Sequence, residues 1–189
     1  MTRAVHAGEW PSEPWRPHRP LVGMQAEPDT TGRKDNTMRY WLGVASKDHV
    51  ALGVADGFCQ LCHGKKAPLQ RMRRGDYILY YSPKQEFRSN RPCQAITACG
   101  VVAGDEVYQH EMFPGFVPYR RDIEWQTPAR EVPLDVLRTL PGWSDVAPKL
   151  RFGHVELPPE LFQAIQEYML SDDESTQTSV PSQTRLMLP

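Results

Sequence analysis

Residues 57–83 read GFCQLCHGKKAPLQRMRRGDYILYYSP. Two cysteines at CxxC spacing, a histidine straight after them and a basic run lead into an apolar segment of strand length. Taken alone, Cys59, Cys62 and His63 have the spacing of a c-type haem attachment site. The surroundings of the stretch decide between haem, zinc and neither.

The chain has 189 residues, a formal net charge of −1 and 40% hydrophobic residues, which suits one domain with a real core. Its four cysteines, Cys59, Cys62, Cys93 and Cys99, are too few for a disulfide framework at this length. No apolar run reaches membrane-spanning length, and MTRAVHAGEWPSEPW lacks the apolar core of a signal peptide. A soluble protein of the reducing cytoplasm is expected, with no membrane association. That setting disfavours c-type haem, whose attachment belongs outside the cytoplasmic membrane.

Zinc fares no better. If PCQAITACG is one strand, Cys93 and Cys99 face the same way but lie roughly 20 Å apart at about 3.3 Å per residue. Bonds of about 2.3 Å cannot join both to one ion. Cys59 and Cys62, if extended, face opposite sides of a sheet, and no second tight pair exists. The cysteines therefore read as small buried hydrophobes. No metal and no cofactor are expected.

Working outward, residues 1–37 are polar and place Pro11, Pro14, Pro17 and Pro20 at a strict spacing of three. That spacing suits a polyproline II ligand, but the apolar content is too low to order the segment, so a disordered Pro-rich leader is expected. Residues 171–189 read as a disordered tail. The folded unit is expected over 38–170.

Within it, RYWLGVA (39–45) is an apolar strand, and Ser46 caps a short helix with Val50 and Val54 on one face and Gly57 as its stop. Gly75-Asp76 turns into the strand YILYYSP, ended by Pro83. PCQAITACGVVA and VPYRRDIEW are further strands. Pro158 and Pro159 open a closing helix with Leu161, Phe162, Ile165 and Met169 inward. The expected class is α+β, a small β-barrel with short helices packed on its outside.

RYWLGVASKDHV, GFCQLCHGKKAPLQRMRRGDYILYYSP, QAITACGVV and YQHEMFPGFVPYRRDIE together resemble the EVE domain family. The blocks match in order and spacing and cover nearly all of 38–170. The Gln60, His63, Gly64 and Lys65 frame recurs in that family while the cysteine positions vary. The resemblance implies a PUA-like pseudobarrel, related to the YTH domains that bind methylated adenine. It implies a non-catalytic module that holds a modified base of DNA or RNA. A nuclease or methyltransferase is the kind of partner that would work beside it, and the chain is expected to be a monomer. Two segments depart from the family pattern: KQEFRSNRP after YYSP, and DVAPKLRFG in place of a Trp-Gly before the last strand.

Base recognition needs an aromatic platform, polar groups for the base edge and positive charge for the backbone. Stacking contributes about 1–3 kcal/mol per base, while extruding a base costs a few, so more than one aromatic is needed. Trp41, Phe58, Tyr80 and Tyr81 are the candidates. In YILYYS, Tyr77, Leu79 and Tyr81 share one face, while Ile78, Tyr80 and Ser82 share the other. One tyrosine should be core and the other pocket; Tyr81 is preferred because it adjoins polar Ser82. Ser46 and Lys47 stand where a helix N-terminus could face a base carbonyl. Gln60 and His63 could read a base edge.

Lys65, Lys66 and Arg88 are candidate phosphate contacts in a run, 65–91, that is strongly basic. Arg120 and Arg121 are candidates as well. Arg121 alternates with Tyr119 and Ile123 on the apolar face of its strand, which favours a buried, paired role for it. Two other readings compete: a pocket for a small aromatic metabolite, and a Cys/His hydrolase or redox enzyme. The second is weakened because Cys62 and His63 are chain neighbours that point apart in a strand.

Overall fold

The computed structural model describes residues 37–126 and 130–171. The expected leader and tail therefore lie outside the described residues, apart from Thr37 and Ser171.

The elements run β1 (Tyr40–Val44), α1 (Lys47–Asp56), β2 (Phe58–Cys59), α2 (Lys66–Arg71), β3 (Tyr77–Lys84) and β4 (Pro92–Val102). They continue with β5 (Tyr108–Gln109), β6 (Tyr119–Gln126), β7 (Val132–Pro133), α3 (Leu134–Leu137) and α4 (Trp143–Val146). A 3-10 helix (Ala147–Phe152), β8 (His154–Leu157) and α5 (Pro159–Leu170) complete the domain.

The strands form one mixed sheet in the order β2-β6-β4-β3-β1-β8, with β5 added to β6 and β7 to β4. It curls into a half-barrel with short helices around it, as expected. β1 and β3 are parallel, with Tyr40 opposite Tyr77. Parallel neighbours need a crossover, and α1, β2 and α2 supply it. The other pairings are antiparallel.

Strand alternation gives the sheet two buried faces. Leu42, Leu79, Tyr81 and Cys99 pack with Trp143, Val155 and the α5 residues Leu161, Phe162, Ile165 and Met169. Trp41, Ile78, Tyr80 and Ala98 pack on the other side with Val50, Cys59, Leu61, Leu69 and Met72. Each large apolar side chain so buried contributes roughly 1.5–3 kcal/mol. The expected face division of YILYYS is thus observed, as are the four inward residues of α5.

α1 begins after Ser46 and ends at Gly57, which takes the left-handed φ of 75° and returns its N–H to Gly53 O. Two local expectations fail. Val54 is 42% exposed, and Gly53 rather than Val54 joins Val50 on the buried face, because β2 runs too close for a larger side chain there. Pro83 does not end its strand: β3 continues to Lys84, with the register irregular between Ser82 and Lys84. A proline fits where the ladder is already interrupted.

Candidate functional site

The C-terminal ends of β1 and β3 meet the start of α1. Ala45 N–H donates to Tyr81 O at 3.3 Å, which sets Ser46 beside the end of β3. On the other side, the β2–β6 register pairs Phe58 with Asp122 and Cys59 with Arg121. One step further puts Gln60 opposite Arg120. Tyr80 joins the two sides, because its hydroxyl donates to Gln60 O at 2.7 Å and accepts from Gln60 N–H at 3.2 Å.

Ser46, Gln60 and Arg120 are each less than a tenth exposed. Gln60 Oε1 and Arg120 Nε nonetheless have no hydrogen-bond partner among the described residues, whereas the Ser46 hydroxyl turns to the Asp48 carboxylate and helps to lower its pKa. A buried polar atom left unpaired costs about 1–3 kcal/mol. Gln60 and Arg120 face each other one step beyond the β2–β6 pair, so the two define the candidate cleft. The Arg120 guanidinium lies 3.7 Å from the Phe58 ring centroid. Burial pulls Arg120 down from its ordinary value, opposed by Tyr108 and Asp56.

His49, one turn into α1, belongs to the same cluster. Burial lowers its pKa; Asp48 opposes this, and Arg120 and His63 add to it. Nothing in the sequence singled out His49, because a lone histidine in a first turn carries no pattern. His63 is exposed and left-handed at φ 59°, on the loop between β2 and α2. Gly64 follows at φ 79° against Pro118, and its carbonyl accepts Tyr119 N–H at 3.0 Å. That bond ties the His63 loop to β6.

The aromatic platform is where expectation and structure part. Trp41, Phe58, Tyr80 and Tyr81 are all buried, at most 7% exposed. Trp41 stacks on His154 at 4.7 Å, carries Arg71 at 4.8 Å from its centroid and donates Nε1–H to Asp76 at 2.9 Å. Tyr81, preferred as the pocket tyrosine, instead packs near Trp143 in the core beneath the helices. A sheet covered on both faces leaves neither tyrosine free. Ser82 is fully buried as well, with its Oγ 2.8 Å from Thr97 Oγ1.

Arg121 is also corrected as a nucleic-acid contact. Its guanidinium donates to Leu69 O, Met72 O, Gly104 O and Asp105 O at 2.7–3.3 Å. It clamps the end of α2 to the turn before β5. Lys47 pairs with Glu131 at 2.6 Å, which raises its pKa by hydrogen bonding, so its charge is already met. Arg71 serves Trp41, and Arg74 pairs with Asp105. Lys65, Lys66 and Arg88 remain exposed, and none of them is in an ion pair among the described residues.

Cys59 is buried beside Leu61, and burial pushes its thiol up to about 12. Burial also raises Cys62, whose Sγ–H donates to Phe152 O at 3.5 Å, against the pull of Lys65 and Arg71. Both shifts run opposite to those of an activated nucleophile. No group of three or more His, Cys, Asp or Glu able to hold a metal occurs among the described residues. No helix of the described residues is long and apolar enough to cross a membrane.

The model of the EVE domain matches residues 39–168. The chain belongs to the EVE domain family. It is similar to a UPF0310 protein of Helicobacter hepaticus, 54% identical over 135 residues that cover 71% of this chain and 99% of that protein. A UPF0310 protein of Streptococcus sanguinis is 48% identical over 74% of this chain and 99% of its own length. Among solved structures, Rpa0253 of Rhodopseudomonas palustris aligns with a TM-score of 0.50 at 20% identity, over 70% of this chain and 93% of that one. That likeness is one of fold.

Proposed function

We propose that this domain is a non-catalytic module that binds a modified base, such as a modified cytosine or adenine, in DNA or RNA. The reading is carried by the two buried polar atoms without partners, Gln60 Oε1 and Arg120 Nε, on residues that face each other beyond the β2–β6 pair. An acceptor on Gln60 and a guanidinium N–H on Arg120 match one donor and one acceptor of a base edge. A base that pairs them would relieve their desolvation cost. Exposed Lys65, Lys66 and Arg88 offer phosphate contacts around the cleft. EVE family membership agrees with a binding role. A nuclease or methyltransferase working with such a reader belongs to the same proposal.

The test is a panel of short oligonucleotides, each with one modified base, against unmodified controls. Tighter binding of one modified oligonucleotide, reduced by Gln60→Ala to the level of its control, supports the reading. Equal affinity for every modification overturns it. Binding of a free aromatic nucleoside that does not change with salt, with no oligonucleotide binding, would make the cleft a metabolite site instead. Phosphate contacts impose a steep salt dependence that a neutral ligand lacks.

A further inference from the structure

We propose that the loop between β3 and β4, residues 85–91, is a second nucleic-acid contact. In it Phe87 stacks on an unpaired base beside the one held in the cleft, and Arg88 and Arg91 hold the neighbouring phosphates. The proposal rests on the base-binding reading of the cleft and extends it to the flanking strand.

Phe87 is 61% exposed. A single exposed apolar side chain is ordinary, so exposure alone decides nothing. What sets Phe87 apart is how firmly its loop is held. Asp48 N–H donates to Gln85 O at 2.9 Å, and Asp48 Oδ2 accepts Phe87 N–H at 3.1 Å. Gln85 N–H donates to Arg91 O at 2.9 Å, Ser89 N–H to Glu86 O at 3.2 Å and Arg91 N–H to Ser89 Oγ at 3.0 Å. The Lys84 ammonium donates to Phe87 O and lies 5.3 Å from the ring centroid. The ring is thus presented to solvent on a frame that is already ordered. A ligand that stacks on it meets little further ordering cost.

Charge selects the occupant. The loop carries Arg88 and Arg91 against Glu86, and neither arginine is in an ion pair among the described residues. A flat apolar face on a loop that also carries two arginines without ion pairs suits an unpaired base with its phosphates. An acidic peptide would use the arginines but would have no flat face for Phe87. Position agrees, since Asp48 ties the loop to the first turn of α1, whose His49 lies within electrostatic reach of Arg120.

The experiment uses the full chain and fluorescently labelled short single strands, unmodified, modified at one base, or abasic beside the modified position. Phe87→Ala should weaken the unmodified strand roughly 5- to 150-fold and leave the strand with abasic flanks unchanged. Arg88→Gln with Arg91→Gln should lower the slope of log affinity against log salt by about 1.4. Phe87→Ala should not alter binding of the free modified nucleoside, which reports on the cleft alone. A cleft that ignores modification while Phe87→Ala still weakens the unmodified strand would defeat the base-reader proposal and keep this one. Unchanged strand binding by the loop variants, equal loss on the abasic strand, or no strand binding by the wild-type chain at low salt overturns it.

Discussion

Tyr80 holds the backbone of Gln60 at two points, donating to its carbonyl and accepting from its N–H through one hydroxyl. The residue that could read a base is therefore positioned by a side chain from the opposite edge of the crossover. Tyr81, its neighbour, meets the other core through its ring, with Trp143 at 6.0 Å.

These neighbours should respond differently to loss of the hydroxyl. Tyr80→Phe should cost about 1–3 kcal/mol, because it strips a buried carbonyl and N–H of their partner. Tyr81→Phe should change little, whereas Tyr81→Ala should cost roughly 3–5 kcal/mol as a core truncation. Urea titrations of the three variants check this. Equal stability for Tyr80→Phe and the wild type would show that the double contact carries no weight.

Arg121→Met keeps most of the volume but removes four donated hydrogen bonds. The buried carbonyls of Leu69 and Met72 then lose a charged donor, at a cost of about 1–3 kcal/mol for each acceptor left unsatisfied. Arg121→Lys should rescue only part of it, since an ammonium cannot span a fork of four acceptors. Denaturation midpoints of both variants measure the loss, and a full rescue by lysine would contradict the clamp.

His154 predicts acid sensitivity. It is buried against Trp41 with both ring nitrogens unpartnered among the described residues, and burial, reinforced by Arg71, takes its pKa down to about 4. The unfolded chain binds the proton near pH 6.5, so between the two values the unfolded state carries more protons. Stability is then full above pH 6.5 and falls as pH drops toward 4, by up to roughly 3 kcal/mol. His154→Phe preserves the stack and removes the titration, so its melting temperature should fall less steeply over that window. Parallel curves for variant and wild type would exclude His154 as the source.

Gly64→Ala should detach the loop that carries His63 and Lys65. An added Cβ would stand 2.3 Å from Pro118 Cβ, at a φ of 79° that side chains rarely adopt. A loss of about 1–3 kcal/mol is expected from the strained backbone, with faster amide exchange at Tyr119, whose N–H bonds Gly64 O. Unaltered exchange there would mean that the loop is held by other contacts.

The fold was more legible in the sequence than the site. Apolar runs of strand length announced β1, β3, β4 and β6, capping residues announced α1, and helical spacing announced α5. β2, β5 and β7 have two residues each, too few for any period. β8 is HVEL, and His154 breaks its apolar signature while pointing inward. At the site, alternation divided Tyr80 from Tyr81 correctly but could not say what covered each face. Both faces are covered, so the search for a free ring failed. Arg121 was readable as buried from its apolar neighbours, but its four carbonyl partners come from residues up to 52 positions away, which no local pattern encodes. The KQEFRSNRP departure from the family pattern was visible at once, and only its anchoring by Asp48 needed the structure.

β1 lies between β3 and β8, and Tyr40 pairs with both Tyr77 and Leu157. β1, the first strand of the described residues, thus waits for β8, the last of them. Until synthesis passes residue 157, one edge of β1 stays open and the apolar inner face of α5 is missing from its core. An unfinished chain therefore offers an unpaired strand edge beside exposed Leu42 and Leu79, the kind of surface that invites aggregation and chaperone capture. The domain closes only once β8 and α5 have emerged.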